Sequence, residues 1–333
     1  MLKVAEKPTA SQVKNLFKPI KGDLTEFQEH FERLMTSDVR IVDRVAKYIV
    51  KHKGKQFRPA LLVATARANG IPTERTYITA VVVELLHTAT LLHDDVVDEA
   101  ELRRGFPTIS RIWKNKVAVL MGDYLLAKSL ISATETGSLE TMNIVANVAK
   151  RLSKGELLQY QKSRNLDITE AEYFKLIGNK TASLISACCE LGALTVDVSS
   201  QHRELMRQYG ENLGLAFQIK DDLLDYQSKS GILGKPVGLD LKERKITLPL
   251  IYALEECSEK MKRKIIRRIK KGAGKEEVRY IISFVREFNG LQRAQTTAQR
   301  YIEAAKANLK HLPATPARKV LENLADFVVN RQK

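Results

Sequence analysis

Apolar residues recur along this chain at spacings of three and four. Leu24, Phe27, Phe31, Leu34 and Met35 follow Gly22 and Asp23 in that rhythm, which places them on one helix face. The same pattern predicts helices over 41–52, 58–70, 74–100, 117–135, 138–163, 169–196, 201–228, 247–257, 260–271, 275–288, 291–311 and 315–331. The breaks between them carry Gly, Pro, Asn or Ser, as at His52 to Gly54, Asn69 to Pro72, Arg104 to Pro107, Ser228 to Gly238 and Leu312-Pro313. No alternating run is long enough for a convincing strand, and no linker divides the chain. The expectation is an all-α protein. Residues 1–333 form a single large helical domain, and 1–22 form an N-terminal extension without a motif.

Composition narrows this picture. The chain has 333 residues, 44% of them hydrophobic, which excludes a disordered tail protein. Its three Cys, at 188, 189 and 257, form no disulfide framework and suggest a reducing, cytoplasmic setting. The apolar stretches 79–97 and 117–132 are interrupted by Glu, His, Asp or Lys and read as buried core helices, not membrane spans. Lys and Arg number 55 against 39 Asp and Glu, a net charge of +16. Nucleic acid, an anionic membrane or a small polyanion would each suit that charge. Half of it lies in Lys260 to Lys271, which holds eight basic residues, no acid, and Met261, Ile265 and Ile269 at intervals of four. This is an amphipathic helix with a basic solvated face; contact with a membrane surface is the second reading.

The chemistry lies in two acidic clusters. Residues 91–98 read LLHDDVVD and 219–225 read IKDDLLD. Helical geometry places Asp94 above Asp98 and Asp221 above Asp225, with Asp95 and Asp222 one step round. Their neighbours are Leu and Val. Three carboxylates on a packed apolar helix repel one another unless a cation relieves them. One such cluster alone would read as a solvated patch; two copies of one pattern point to hard divalent cations. Mg²⁺ takes oxygen ligands and needs only one or two carboxylates beside phosphate oxygens. Basic residues accompany the acids. Lys55 and Arg58 sit on the Gly54-to-Pro59 corner, and Arg103 and Arg104 follow the first cluster; paired Arg offer planar forks to phosphate.

With GKQFRP, LLHDDVVDEAELRRG, GNKTASL, FQIKDDLLDY, GKPVGLDL and KITLPL in this order, the chain resembles the trans-isoprenyl (polyprenyl) diphosphate synthases from Gly54 to about Leu250. The resemblance implies the isoprenoid synthase fold, with a cavity between the two Asp-rich helices. It implies Mg²⁺, three ions with diphosphate bound, on Asp94, Asp95, Asp98, Asp221, Asp222 and Asp225, of which Asp94, Asp98 and Asp221 are the strongest direct ligands. Arg103, Lys180, Lys235 and Lys245 would contact an allylic diphosphate, farnesyl or geranyl. Lys55, Arg58, His87 and Arg104 would bind isopentenyl diphosphate. Thr181 and Gln218 would lie along the reacting carbons and, with Lys180, make up the catalytic set. A homodimer is the implied assembly.

In such enzymes the residues just before the first cluster floor the chain pocket. Here they are Ala89 and Thr90, both small, which implies a medium- or long-chain product such as those of octaprenyl, heptaprenyl or solanesyl synthases for quinone side chains. Leu86, Met121 and Leu125 are candidates for deeper positions. A geranylgeranyl- or farnesyl-type product, or the catalytic subunit of a heteromeric enzyme, is the alternative. A class I terpene cyclase departs from the second cluster's pattern. A noncatalytic subunit would lack some of these Asp or Arg residues. A nucleic-acid binder leaves both clusters unexplained.

Overall fold

The computed structural model describes residues 16–54, 56–227 and 238–331. Lys55, Lys235 and most of the break from Ser228 onward lie outside the described residues. A 3₁₀ turn over Lys18–Ile20 leads into α1 (Lys21–Leu34), α2 (Arg40–Lys51), α3 (Phe57–Asn69) and α4 (Glu74–Val97). An antiparallel hairpin of β1 (Leu102–Arg103) and β2 (Phe106–Pro107) separates α4 from α5 (Ile109–Glu135) and α6 (Leu139–Asn165). Then come α7 (Glu170–Ile177), a π-helical turn over Gly178–Ala182, α8 (Ser183–Leu194) and α9 (Ser200–Gln227). Beyond residue 237 follow α10 (Leu239–Lys242), α11 (Leu248–Glu256), α12 (Glu259–Lys270), α13 (Lys275–Glu287), α14 (Gly290–Asn308) and α15 (Pro316–Asn330).

The boundaries have local causes. Thr73 and Thr76 form a reciprocal cap at the start of α4, and Thr169 with Glu172 does the same for α7. Each satisfies backbone N–H groups that a helix leaves open. Pro occupies the first turn of α15, where its missing N–H costs nothing. The helix expected over 117–135 begins eight residues earlier, because the Thr108 hydroxyl accepts from Arg111 N; it kinks at Lys114, where φ is 72°. The helix expected over 169–196 is interrupted by the π turn. The hairpin falls where the sequence showed only a break.

Buried apolar side chains from Phe17 to Val329 join into one cluster. α4 packs along α5, α9 lies against α8 and α14, and α3 bridges α4 and α8. α15 crosses α3 and α9, bringing the end of the chain back to the middle of the fold. Among the described residues, α4 and α5 are long and apolar enough to cross a membrane by length and composition. In α4, 67% of that stretch is buried within the protein, as a core helix requires. The acidic residues stand at its C-terminal end and at that of α9.

Candidate active site

The first acidic cluster divides in two. Asp95 is 3% exposed and accepts from Arg103 Nε at 2.7 Å. Asp94 is half-buried and Asp98 exposed. Burial, with Glu156 and Asp98 nearby, pushes the Asp94 carboxyl up to about 6, against the pull of Lys180 and Arg103. Arg103 is therefore an anchor for the hairpin as well as a cation at its edge.

Arg104 and Gly105 form the tip of that hairpin, both with positive φ, 55° and 84°, as a two-residue primed turn requires. The Arg104 guanidinium lies against Gly54, where any side chain would collide with it. Arg58 Nη1 stands 2.8 Å from His87 Nε2, so the imidazole accepts there. Burial, then Arg58, Arg104 and Arg103, lowers the His87 pKa well below its ordinary value, which keeps the ring neutral. Arg58, His87, Arg104 and Arg331 line one cavity of about 630 Å³. Among the described residues, the Nε atoms of Arg58 and Arg331 have no hydrogen-bond partner. Buried donors left in that state favour an anionic ligand.

Arg58 and His87 also line a second cavity of about 480 Å³, which continues to Thr90, Asp94, Lys180 and Thr181. A third, of about 550 Å³, shares Asp94 and Glu156 with it and reaches Asp98 and Lys245. The fourth, about 200 Å³, joins Lys180, Thr181, Gln218, Asp222, Asp240 and Lys245. Of the expected residues, Asp94, Asp98, Asp222, Arg58, Arg104, Lys180 and Lys245 thus line a series of adjoining clefts; Asp95, Asp221 and Asp225 line none of these four, and Lys55 and Lys235 lie outside the described residues.

The second cluster is organised by hydrogen bonds. Asp222 is 3% exposed; Tyr173 Oη donates to its Oδ2 at 2.6 Å and Gln218 Nε2 to its Oδ1 at 2.8 Å. Thr181 Oγ1 donates to Gln218 Oε1 at 2.7 Å, leaving the hydroxyl lone pairs for the cavity. Asp225 accepts from the N–H groups of Leu239 and Asp240 and so ties α10 to α9. Asp221 pairs with Arg331 at 2.7 Å. Burial and Asp225 raise the pKa of Asp240.

Lys180 and Thr181 occupy the π turn, a distortion frequent at functional sites. Gly155 and Gly214 let α6 and α9 close on it: a Cβ at 155 would stand 2.8 Å from Lys180 N, and one at 214 2.5 Å from Ala182 Cα. Lys180 Nζ is 2.6 Å from Glu156 and donates to Gln159 at 3.1 Å. Lys245 pairs with Glu243 at 2.6 Å.

Thr90 lines the second cavity, whereas Ala89 is 1% exposed in the core and lines none of the four cavities described. Leu86, Met121 and Leu125 are likewise buried in the core. Glu156, Tyr173, Asp240 and Arg331 escaped sequence reasoning. Asp240 stood inside the GKPVGLDL stretch; the others carried no local signal. Among the described residues no three acidic, His or Cys side chains converge into a preformed metal cage. The donors are all carboxylate oxygens, and the burial that disfavours charge on Asp94 leaves negative charge undercompensated. That suits a hard cation whose shell a phosphate ligand completes.

A model of the polyprenyl synthetase family matches residues 39–285. The octaprenyl diphosphate synthase of Escherichia coli is 35% identical over 299 residues, 90% of this chain and 93% of that protein. Among solved structures, a decaprenyl diphosphate synthase from Rhodobacter capsulatus superposes with a TM-score of 0.90 at 37% identity, covering 96% of this chain and 99% of that one. A polyprenyl synthase from Caulobacter crescentus, complexed with calcium and isoprenyl diphosphate, gives 0.89 at 36% identity, covering 99% and 100%. Geranylgeranyl pyrophosphate synthases are also among the similar structures. The fold and its acid-lined clefts are those of an isoprenoid synthase. The chain belongs to the polyprenyl synthetase family and is a prenyltransferase.

Proposed function

We propose that the chain condenses isopentenyl diphosphate with an allylic diphosphate, farnesyl or geranyl, to make a medium- or long-chain all-trans polyprenyl diphosphate for quinone side chains. The observation that carries this reading is the pair of adjoining anion sites. One is cationic and lined by Arg58, His87, Arg104 and Arg331; the other is lined by carboxylates and Lys180. They meet at Arg58 and His87, so two diphosphate substrates can lie side by side with their carbons apposed.

Asp94, Asp98, Asp221 and Asp240 would hold Mg²⁺, which would neutralise the allylic diphosphate and stabilise its charge as it departs. Lys180 and Lys245 add fixed positive charge on the same side. As the C–O bond breaks, the diphosphate takes the electron pair and the allylic carbon is left cationic. Thr181 and Gln218, held in one hydrogen-bonded line to Asp222 and Tyr173, present oxygen dipoles to that cation without the reactivity of a free base. The isopentenyl double bond, positioned by Arg58, His87 and Arg104, attacks it. A carbon–carbon bond forms, and the proton lost from the new cation passes to the released pyrophosphate. The apolar walls exclude water, which would quench the cation. The roles of Lys55 and Lys235, as further diphosphate contacts, belong to the same proposal.

A homodimer and a cytoplasmic setting complete the proposal. The first is supported by Ile112, Leu120 and Ile131, apolar residues of α5 exposed by 42, 58 and 59%, and the second by three free Cys. The experiment is incubation of the chain alone with farnesyl diphosphate, isopentenyl diphosphate and Mg²⁺, followed by chain-length analysis. Products beyond geranylgeranyl are expected. A geranylgeranyl end product would replace the long-chain reading, and no elongation would assign the chain to a heteromeric enzyme.

A further inference from the structure

We propose that the outer face of α12 is a docking surface for an anionic lipid bilayer. Lys260, Lys262, Arg263, Lys264, Arg267, Lys270 and the following Lys271 are all exposed, and Arg268 is half-exposed. The apolar side of the helix is already spent: Ile265 and Ile269 are fully buried, and Met261 packs on the core. Arg268 lies over the Tyr280 ring of α13 at 4.4 Å and Lys264 at 5.3 Å, which fixes the helix against its neighbour. The cations are therefore displayed on a rigid face. Among the described residues only Lys262 and Arg268 of this set have a carboxylate within 4.0 Å, each at 3.9 Å. So much uncompensated like charge on one helix is complementary to a polyanionic surface.

The form of the face selects the partner. It offers no exposed aromatic or amide side chain between its cations, and Tyr280 is already covered, so it lacks the stacking and base-edge groups that nucleic-acid binders use. It offers no free apolar edge, so the helix would adsorb on headgroups without inserting. The reason for docking rests on the long-chain reading above, since each added isoprene unit drives the product further toward a bilayer. The docking itself can be measured without substrate.

The test is sedimentation of the full chain with vesicles of phosphatidylcholine alone and of phosphatidylcholine with phosphatidylglycerol. The partner of the wild type is a quadruple variant, Lys262→Gln, Arg263→Gln, Arg267→Gln and Lys270→Gln, all surface changes remote from the clefts. Wild type is expected to bind only the anionic vesicles and to be released at about 1 M salt, where the Debye length falls to ~3 Å. The variant is expected to bind at least about tenfold more weakly while elongating normally in detergent solution. Equal binding by variant and wild type, or equal binding to both vesicles, would overturn the proposal. So would tighter binding to a DNA duplex than to vesicles at equal phosphate. A variant that binds vesicles fully but loses kcat/KM in solution would assign the face to steering soluble diphosphates instead. A short product in the chain-length assay removes the long-chain reading and leaves the vesicle result standing.

Discussion

Two adjacent residues near the first acidic cluster face different surroundings, and that separates their predicted effects. Thr90 borders the cleft beside Asp94, so Thr90→Phe is expected to shorten the product by filling the channel. Ala89 is buried in the core; Ala89→Phe should overpack it and cost about 1–3 kcal/mol of stability. Product analysis and urea unfolding separate the two, and unchanged products from Thr90→Phe would remove that residue from the channel. His87 gives a pH prediction. Its folded pKa is depressed by burial and by Arg58, so below about 6.5 the unfolded chain binds the extra proton. This residue therefore makes stability fall as pH drops from 7 to 5. Asp94, raised to about 6, and Asp240, also raised, act in the opposite sense. The informative quantity is the difference: His87→Gln should be less acid-sensitive than wild type in unfolding midpoint.

At the scale of elements, the site depends on two small devices that hold side chains in place. The hairpin carrying Arg103 and Arg104 is clamped from α2. Tyr48 Oη donates to Pro107 O at 2.7 Å, the Tyr48 ring packs against His52 at 4.1 Å, and His52 against Phe106 at 4.4 Å, both pairs tilted. Tyr48→Phe removes one hydrogen bond of about 1 kcal/mol and leaves the ring contacts. KM for isopentenyl diphosphate is expected to rise about fivefold in steady-state kinetics, with kcat nearly unchanged; an equal fall in kcat would refute a positioning role. The π turn is the second device. Gly214→Ala would drive a methyl group into Ala182, displacing Lys180 and Thr181. We expect a loss of about 1–3 kcal/mol in stability and a larger relative fall in kcat than in substrate affinity. Neither device was legible in the sequence. The long helices were, because a repeat of three and four is visible over many turns, and so were the Asp clusters, because one helix face carries each. A two-residue strand pair and a single widened turn leave no period to detect. Asp222 and Asp225 were found as acids, but their bonding to Tyr173 and to the α10 backbone depends on segments distant in sequence. Arg331 reaches Asp221 only because α15 folds back across α9.

At the scale of the whole molecule, α5 carries a surface whose character the interior does not account for. Single exposed apolar residues are ordinary, but Leu120 and Ile131, three turns apart beyond the kink at Lys114, project from one side of α5 with 58 and 59% exposure. They stand about 17 Å apart along the helix at ~1.5 Å per residue. The charge pattern argues against burial in lipid, since Lys116 and Asp123 are exposed along the same helix. A second copy, packed through the same row by twofold symmetry, would cover it without stranding those charges in hydrocarbon. Leu120→Lys with Ile131→Lys tests this. Losing about 1.5 kcal/mol per buried side chain, for four side chains in a symmetric pair, costs about 6 kcal/mol. That weakens association about 10⁴-fold, enough to turn a tight dimer into a monomer at micromolar concentration. Analytical ultracentrifugation of both proteins reads the outcome directly. A wild type that sediments as a monomer would remove the dimer. A variant that stays dimeric would place the interface on another face.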